Sequence, residues 1–272
     1  YIRAPETKFA AVYRPMRLSK LSTAVFSILL TCATAGAGAT VAAEPESKPA
    51  ADAAAREVEE ALKLTPNPER GRKAYLMCAV CHQPEGWGSA DGDYPQVAGQ
   101  LYPVIIKQMA DIRARNRDTP TMFPFTMLEF LNLQQIADVS AYLSQLPMNP
   151  NNGVGPGTDL EKGERLYDEY CAECHGKHGE GIAKEHMPLI QGQHYPYLVR
   201  QFQWIANGKR RNADPEMVKQ IEGFSDEDIS AIMDYTSRLS ASPDRLAAPG
   251  WRNPDFAEFV RDQGKHAEKK KN

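Results

Sequence analysis

The sequence predicts an all-α protein made of two tandem copies of one small domain. The first observation is a repeat: residues 95–100 (PQVAGQ) recur 93 positions later as residues 188–193 (PLIQGQ), and Cys78 recurs as Cys171 at the same offset. The second is periodicity, because each copy has three stretches with apolar residues at helical spacing and neither has the alternation of a strand. The 272 residues suffice for two modest domains.

Three helices are predicted at matching positions in each copy. The first two span residues 69–78 and 102–115 in the first copy, and residues 160–171 and 195–207 in the second. The third begins after Asn132 in the first copy and after Ser225 in the second, and both residues are good N-caps. Proline, glycine and asparagine dominate the stretch between the copies, which indicates a linker.

These patterns divide the chain into six segments. Residues 1–43 are upstream residues and a signal peptide or N-terminal anchor, and 44–68 form a tether with a short helix near 53–64. Residues 69–147 form domain 1, 148–159 the linker, 160–241 domain 2, and 242–272 a C-terminal extension. The extension contains Trp251, Phe256 and Phe259, and three lysines, 269–271, precede its last residue. We expect it either to dock a partner or domain 2, or to be a loosely ordered appendage.

The N-terminal segment is typical of export. Arg17 and Lys20 precede twenty-three uncharged residues, 21–43, of which the first are apolar and the last are small. A secretory signal peptide has this pattern, and we predict a periplasmic protein. An uncleaved segment that associates the protein with the membrane is the alternative, and a lipidated Cys32 is a third possibility.

Charge and composition limit the classes of molecule that the protein is expected to bind. The net charge is −3, with 42% hydrophobic and 25% charged residues, which is ordinary for a soluble domain and excludes a basic nucleic-acid footprint. The segment 1–43 is basic, so the rest of the chain is more acidic than the whole. Protein partners with basic docking faces would suit it.

Two short motifs predict the cofactor. Both copies contain C-x-x-C-H, the attachment signature of c-type haem, and the cysteines and histidines involved are Cys78, Cys81, His82, Cys171, Cys174 and His175. Two thiols three positions apart reach the two vinyl groups of one porphyrin, and the adjacent imidazole is held beneath the iron. A redox pair does not require the histidine, and a zinc site would need thiols from both copies. The sequence therefore predicts two covalently attached haem c groups.

The sixth iron ligand is predicted to be methionine in both copies. Domain 1 has only His82, which excludes two histidine ligands from within the domain. Pro-x-Met occurs in both copies and indicates Met122 and Met217 as the ligands, with Met127 as the alternative for haem 1. The free N–H of the proximal imidazole usually donates to a carbonyl, and Pro95 and Pro188 lie thirteen residues after the two proximal histidines.

The chain resembles the dihaem cytochromes c of the c-four type, which contain two tandem class I cytochrome c domains. The resemblance covers roughly residues 65–241 and rests on the two C-x-x-C-H motifs, the repeated stretch with its glycine and glutamine, the two Pro-x-Met motifs and the third helix. It implies three main helices around one haem per domain, and electron transfer to terminal oxidases or other redox partners. It also implies that the first and last helices of each domain cross. The crossing would place Gly71 and Tyr75 near Tyr142 in domain 1, and Gly163 and Tyr167 near Tyr235 in domain 2.

Two enzyme classes compete with a carrier. A dihaem peroxidase needs an open or displaceable iron ligand, and a sulfur-oxidising dihaem enzyme would be expected to use a cysteine ligand. Methionines at both ligand positions argue against them, so we predict no catalytic residue. The alternative is a cytochrome subunit of a larger oxidoreductase, such as a sulfide dehydrogenase. The histidines outside the motifs, at 178, 186, 194 and 266, are predicted to lie on the surface, and Trp87 beside a haem edge.

Overall fold

The computed structural model describes residues 47–256. Ten α-helices and two short 3-10 helices form this part of the chain, and no strand occurs within it apart from isolated bridges. The predicted signal peptide, Phe259 and the terminal lysines lie outside the described residues. Within residues 47–256, no helix combines the length and the apolar character needed to cross a bilayer.

Domain 1 has the three predicted helices and one additional short helix. They are α2 (Pro68–His82), α3 (Tyr102–Arg113), α4 (Phe123–Thr126) and α5 (Leu133–Gln145), preceded by α1 (Ser47–Leu62). The N-cap prediction for α5 is confirmed, because the Asn132 side chain accepts from the backbone N–H of Gln135 and the Gln135 side chain accepts from the backbone N–H of Asn132.

Domain 2 repeats the three main helices, but its first helix is divided in two. Its helices are α6 (Leu160–Tyr170), α7 (Ala172–His175), α8 (Tyr195–Ala206), α9 (Pro215–Gln220) and α10 (Asp226–Arg238). Ser225 and Asp228 form the same reciprocal cap at the start of α10. Tyr167 precedes Cys171 by four residues, whereas Tyr75 precedes Cys78 by three, and the extra residue divides the first helix into α6 and α7.

The first and last helices of each domain cross at a glycine, as predicted. A Cβ atom on Gly71 would lie 2.0 Å from the carbonyl oxygen of Asp138, and one on Gly163 would lie 2.2 Å from that of Ala231. The ring centroids of Tyr75 and Tyr142 are 5.7 Å apart at the first crossing. The absence of a side chain at each glycine thus sets how closely the two helices approach.

The two domains meet through a symmetric pair of glutamines from the repeated stretch. The Gln100 side chain bonds the backbone N–H and C=O of Leu189, at 3.0 and 2.8 Å. The Gln193 side chain bonds those of Gln96 at 3.0 and 2.9 Å. Gln100 and Gln193 are repeat equivalents, as are Gln96 and Leu189, so the interface has a local pseudo-twofold relation.

Helix α1 packs on domain 1, so residues 47–62 belong to the domain and do not form a tether. The helix is longer than predicted and buries Ala54, Val58 and Ala61 in the core of domain 1. These residues are spaced at i, i+4 and i+7, which places them on one helical face. Glu57 on the same helix pairs with Arg113 of α3 at 2.5 Å.

The C-terminal segment crosses back from domain 2 to domain 1. The Trp251 ring lies 5.7 Å from the ring of Trp87, and Phe256 meets the edge of Tyr75 at 5.9 Å. Asn253 is 1% exposed and donates to the carbonyl of Pro84 and to the Tyr142 hydroxyl. Residues up to 256 therefore dock on domain 1, and neither expectation for the extension, domain 2 or a loose appendage, describes them.

Two further predictions require correction. Trp87 donates to the carbonyl of Pro147 at 2.9 Å and packs on Trp251, away from the cavity described below. His194 is not on the surface but is 2% exposed between the domains. Its Nδ1 accepts from the N–H of Gly153 at 3.0 Å, and its Nε2 donates to the carbonyl of Trp87 at 2.7 Å. These bonds require the neutral imidazole.

Lowering the pH is therefore expected to weaken the folded protein through His194. Burial lowers the pKa of His194 below 6.5, against the smaller opposing effects of the Trp87 carbonyl and Asp91. The unfolded chain binds a proton near pH 6.5, so stability is full above that value and falls as the pH drops towards the lower folded-state pKa. Urea unfolding at pH 7.5 and 5.5 measures this loss.

His194→Gln should be less stable than the parent at pH 7.5 and should lose less stability between the two pH values. His178→Gln, at an exposed position, is the matched control and should follow the parent. Equal losses in the parent and in His194→Gln would contradict the prediction.

Candidate functional site

The two C-x-x-C-H motifs lie at equivalent places, at the end of α2 and in α7. Their four thiols are half-buried, while His82 and His175 are only 7% and 8% exposed. Burial raises the pKa of the Cys78 thiol to about 11 and that of Cys171 to about 12. Each motif thus directs its thiols and its imidazole into the interior of its own domain.

Both proximal histidines are oriented as predicted. His82 Nδ1 lies 3.0 Å from the carbonyl oxygen of Pro95, and His175 Nδ1 lies 3.0 Å from that of Pro188. A proton on Nδ1 that is donated to the carbonyl leaves the Nε2 lone pair free to bind iron. Burial lowers the pKa of each histidine, which favours the neutral form that a metal ligand requires.

One continuous cavity of about 1420 Å³ contains both motifs. It exceeds the roughly 300–1,000 Å³ typical of a pocket for a single small ligand. All six motif residues line it, namely Cys78, Cys81, His82, Cys171, Cys174 and His175. Its remaining walls are largely apolar in each domain, among them Val104, Ile105, Leu198 and Phe202. The size, the walls and the donor set fit two large, flat, mainly apolar groups attached through the thiols.

The predicted methionine ligands also line this cavity. Met122 precedes α4, and Met217 lies in α9, so equivalent segments of the two domains present them. Met127, the alternative, is 36% exposed and is not a lining residue. Met109 and Met233 line the cavity from α3 and α10 and are buried in the domain cores. The geometry favours Met122 over Met127, and the ligand pair remains a prediction.

A buried polar cluster between the domains was not anticipated from the sequence. Gln108 and Gln201 lie side by side, and each receives bonds from both Arg117 and Arg210. Arg117 and Arg210 are 93 residues apart, as are the two glutamines. The sequence repeat therefore pairs the members of this cluster, and it is the signal by which they could have been found. All four residues line the cavity that contains the two motifs.

The cluster carries positive charge that the protein does not fully neutralise. Burial, and then Arg117, lower the pKa of Arg210 to about 10. Burial would raise the pKa of Tyr197, but the two guanidinium groups outweigh it and the pKa is lowered. Arg117 Nε is buried without a hydrogen-bond partner in the described part of the chain. Haem propionates are anionic acceptors that would match these donors, so the centre of the cavity fits the polar edges of the haems.

Comparisons with known proteins agree with this geometry. Residues 68–147 match the family described as Cytochrome c, and residues 158–235 match the family described as Cytochrome C oxidase, cbb3-type, subunit III. Cytochrome c4 from Azotobacter vinelandii is 30% identical over 186 residues, which are 62% of this chain and 87% of that protein. The chain belongs to the cytochrome c4 family.

Two other relatives extend the comparison. The thiosulfate dehydrogenase electron acceptor of Stutzerimonas stutzeri is 28% identical over 176 residues, covering 61% of this chain and 80% of that protein. The crystal structure of reduced recombinant cytochrome c4 from Pseudomonas stutzeri has a TM-score of 0.58 at 27% identity, and covers 64% of this chain and 100% of that one. Helix α1 and the C-terminal segment lie outside both family matches.

Membership of the cytochrome c4 family confirms the central predictions. The fold is all-α with two cytochrome c domains, and each domain binds one haem c covalently. The protein is an electron-transfer cytochrome and not an enzyme.

Proposed function

We propose that the protein carries single electrons in the periplasm, between a donor complex and a terminal oxidase or another acceptor, through two His/Met haems. The observation that carries the proposal is the shared cavity, in which each domain presents one histidine and one Pro-x-Met methionine. Iron closed on both sides exchanges electrons without binding a substrate. The export pattern of residues 1–43 and the haem attachment motifs support the periplasm, and an uncleaved segment would associate the protein with the membrane.

The residues of the chain have separate roles in this proposal. Haem iron supplies one-electron exchange between its ferric and ferrous states. His82 and His175 are fixed by the proline carbonyls, and Met122 and Met217 would close the opposite sides. The apolar walls would keep water from the haem faces, and the arginines of the central cluster would offer donors to the propionates. Fixed ligands and excluded water leave little to reorganise when an electron arrives.

A cytochrome subunit of a larger oxidoreductase is the second candidate. The relationship to a thiosulfate dehydrogenase electron acceptor favours it over the peroxidase alternative. In either case the partners are redox proteins, and the two haems act as a relay between them.

The proposal is tested by the optical spectrum of the oxidised holoprotein, in which a Met–Fe(III) bond gives a weak red band. We expect Met122→Ala and Met217→Ala each to remove about half of this band, because each variant opens one of two equivalent irons. Met127→Ala is the matched control and should leave the band whole.

Two outcomes would contradict the proposal. A high-spin haem in the parent protein that binds cyanide rapidly would indicate an open iron and favour an enzyme. A band that Met127→Ala halves and Met122→Ala leaves intact would make Met127 the ligand of haem 1.

A further inference from the structure

Arg113 connects the segment that carries Met122 to the rest of domain 1. Arg113, the last residue of α3, donates from Nε to the carbonyl of Thr126 at 2.5 Å and from Nη2 to the carbonyl of Leu131. Its Nη1 pairs with Glu57 of α1. One guanidinium group therefore joins three parts of the domain: α1, α3 and the segment between Met122 and α5, which it contacts at two carbonyls.

This interaction is buried. The side chains of Arg113 and Glu57 are only 11% and 16% exposed. Burial lowers the pKa of Arg113 and raises that of Glu57, while the opposite charge of the partner acts against the shift in each case. A buried pair of this kind has a fixed geometry, unlike an exposed pair.

The segment has further anchors on either side of its middle, where the Arg115 guanidinium lies over the Phe123 ring and Leu131 is 3% exposed in the domain core. Thr126 is fully buried and donates to the carbonyl of Phe123 at 2.8 Å, which closes the single turn of α4. Between Thr126 and Leu131, by contrast, Met127, Leu128 and Phe130 are 36%, 62% and 55% exposed. The two carbonyls bound by Arg113 lie at the two ends of this exposed stretch.

Domain 2 does not have this arrangement. The position equivalent to Arg113 is Ala206, and no helix equivalent to α1 packs there among the described residues. The segment from Met217 to the N-cap of α10 is two residues shorter than its counterpart from Met122. Apolar packing holds this segment without a counterpart of Arg113, because Ile221 is 5% exposed and Phe224 stacks on Phe202.

We propose that Glu57 and Arg113 are positioning residues that hold Met122 on the iron of haem 1, and that α1 serves this purpose in domain 1 alone. The inference rests on the proposed His/Met ligation. Without the pair, the exposed segment would move, and the methionine would leave the iron open part of the time. Haem 2 would not respond, because its ligand segment has separate anchors.

The test uses the full holoprotein with two variants and one control. Arg113→Gln removes the charge and most of the donors, and Glu57→Gln is a milder change at the same contact. Glu59→Gln is the matched control, because Glu59 forms an exposed pair with Lys63 on the same helix at 2.7 Å. The readouts are the red band of the oxidised protein and carbon monoxide binding by the reduced protein, with thermal unfolding measured alongside.

We expect Arg113→Gln to lose about half of the red band and to bind carbon monoxide at one haem per chain. Glu57→Gln should bind carbon monoxide at the same haem more slowly, and Glu59→Gln should match the parent. The proposal is overturned if both variants keep the whole band and bind no carbon monoxide, even if they unfold at a lower temperature. It is also overturned if both haems are affected equally.

Met122→Ala, measured in parallel, separates this proposal from the ligand assignment. If Met122→Ala halves the band and Arg113→Gln does not, the positioning role is wrong and the ligation stands. If Met122→Ala leaves the band whole, the ligation of haem 1 is wrong, and with it the proposed role of the pair.

Discussion

Replacing Gly71 with alanine is expected to unfold domain 1 or to leave it without stable haem. The new methyl group would lie 2.0 Å from the Asp138 carbonyl oxygen and 2.9 Å from the Cβ of Tyr142, so α2 and α5 must separate. Separation of the two helices also disturbs Asp138, whose carboxylate accepts hydrogen bonds from the Arg70 side chain and from the backbone N–H of Asn67. We expect a loss of more than about 4 kcal/mol in the free energy of unfolding, which is exceptional for one methyl group.

Thermal unfolding followed by haem absorption checks this prediction. Gly163→Ala should have the same effect on domain 2, since its Cβ would lie 2.2 Å from the Ala231 carbonyl oxygen. Lys73→Ala, at an exposed position on the same helix as Gly71, is the control and should stay within about 0.5 kcal/mol of the parent. A Gly71→Ala protein with parental stability would mean that the two helices are not closely packed.

Replacing Phe256 with alanine is expected to cost about 3–5 kcal/mol, the usual cost of truncating a buried phenylalanine. Phe256 is 6% exposed and packs on Tyr75, at the crossing that supports the first motif. Asn253→Ala should cost about 1–3 kcal/mol, because it leaves the Pro84 carbonyl buried without its donor. Both losses should appear in domain 1, although the substituted residues follow domain 2 in the chain.

Urea unfolding followed separately by the near-ultraviolet signal and the red band locates the effect. Ala248→Ser, an exposed change in the same segment, should be neutral. Parental stability in Phe256→Ala would indicate that the Phe256 ring adds nothing to the stability of domain 1.

The repeated parts of the fold were predictable because the same sequence pattern occurs in both copies of the domain. The three helices per domain, the capping residues and the proline carbonyls all have counterparts at matching positions, whereas the glycine crossings were implied by the family resemblance. A match between two copies separates a structural requirement from chance composition. Arg117 and Arg210 are also repeat equivalents, but the shared offset alone does not show that the two side chains lie together between the domains. That contact is visible only in the structure.

The unrepeated parts were harder to predict, for physical reasons. Helix α1 buries mainly small residues, so its apolar face is weak in an Ala- and Glu-rich stretch. The C-terminal segment has no periodic pattern, and its contacts come from a few side chains that reach residues far back in the sequence. His194 occupies the position of Leu101 in the repeat, which the fold buries. Its burial was not predicted, because histidine is more often found at the surface.

The return of the C-terminal segment to domain 1 also sets an order of assembly. Residues 243–256 are synthesised after both domains, yet they cover the crossing that supports the first motif to be synthesised. Domain 1 is therefore finished only after domain 2 has left the ribosome, and a chain truncated beyond domain 2 would contain two haem motifs but only one complete domain.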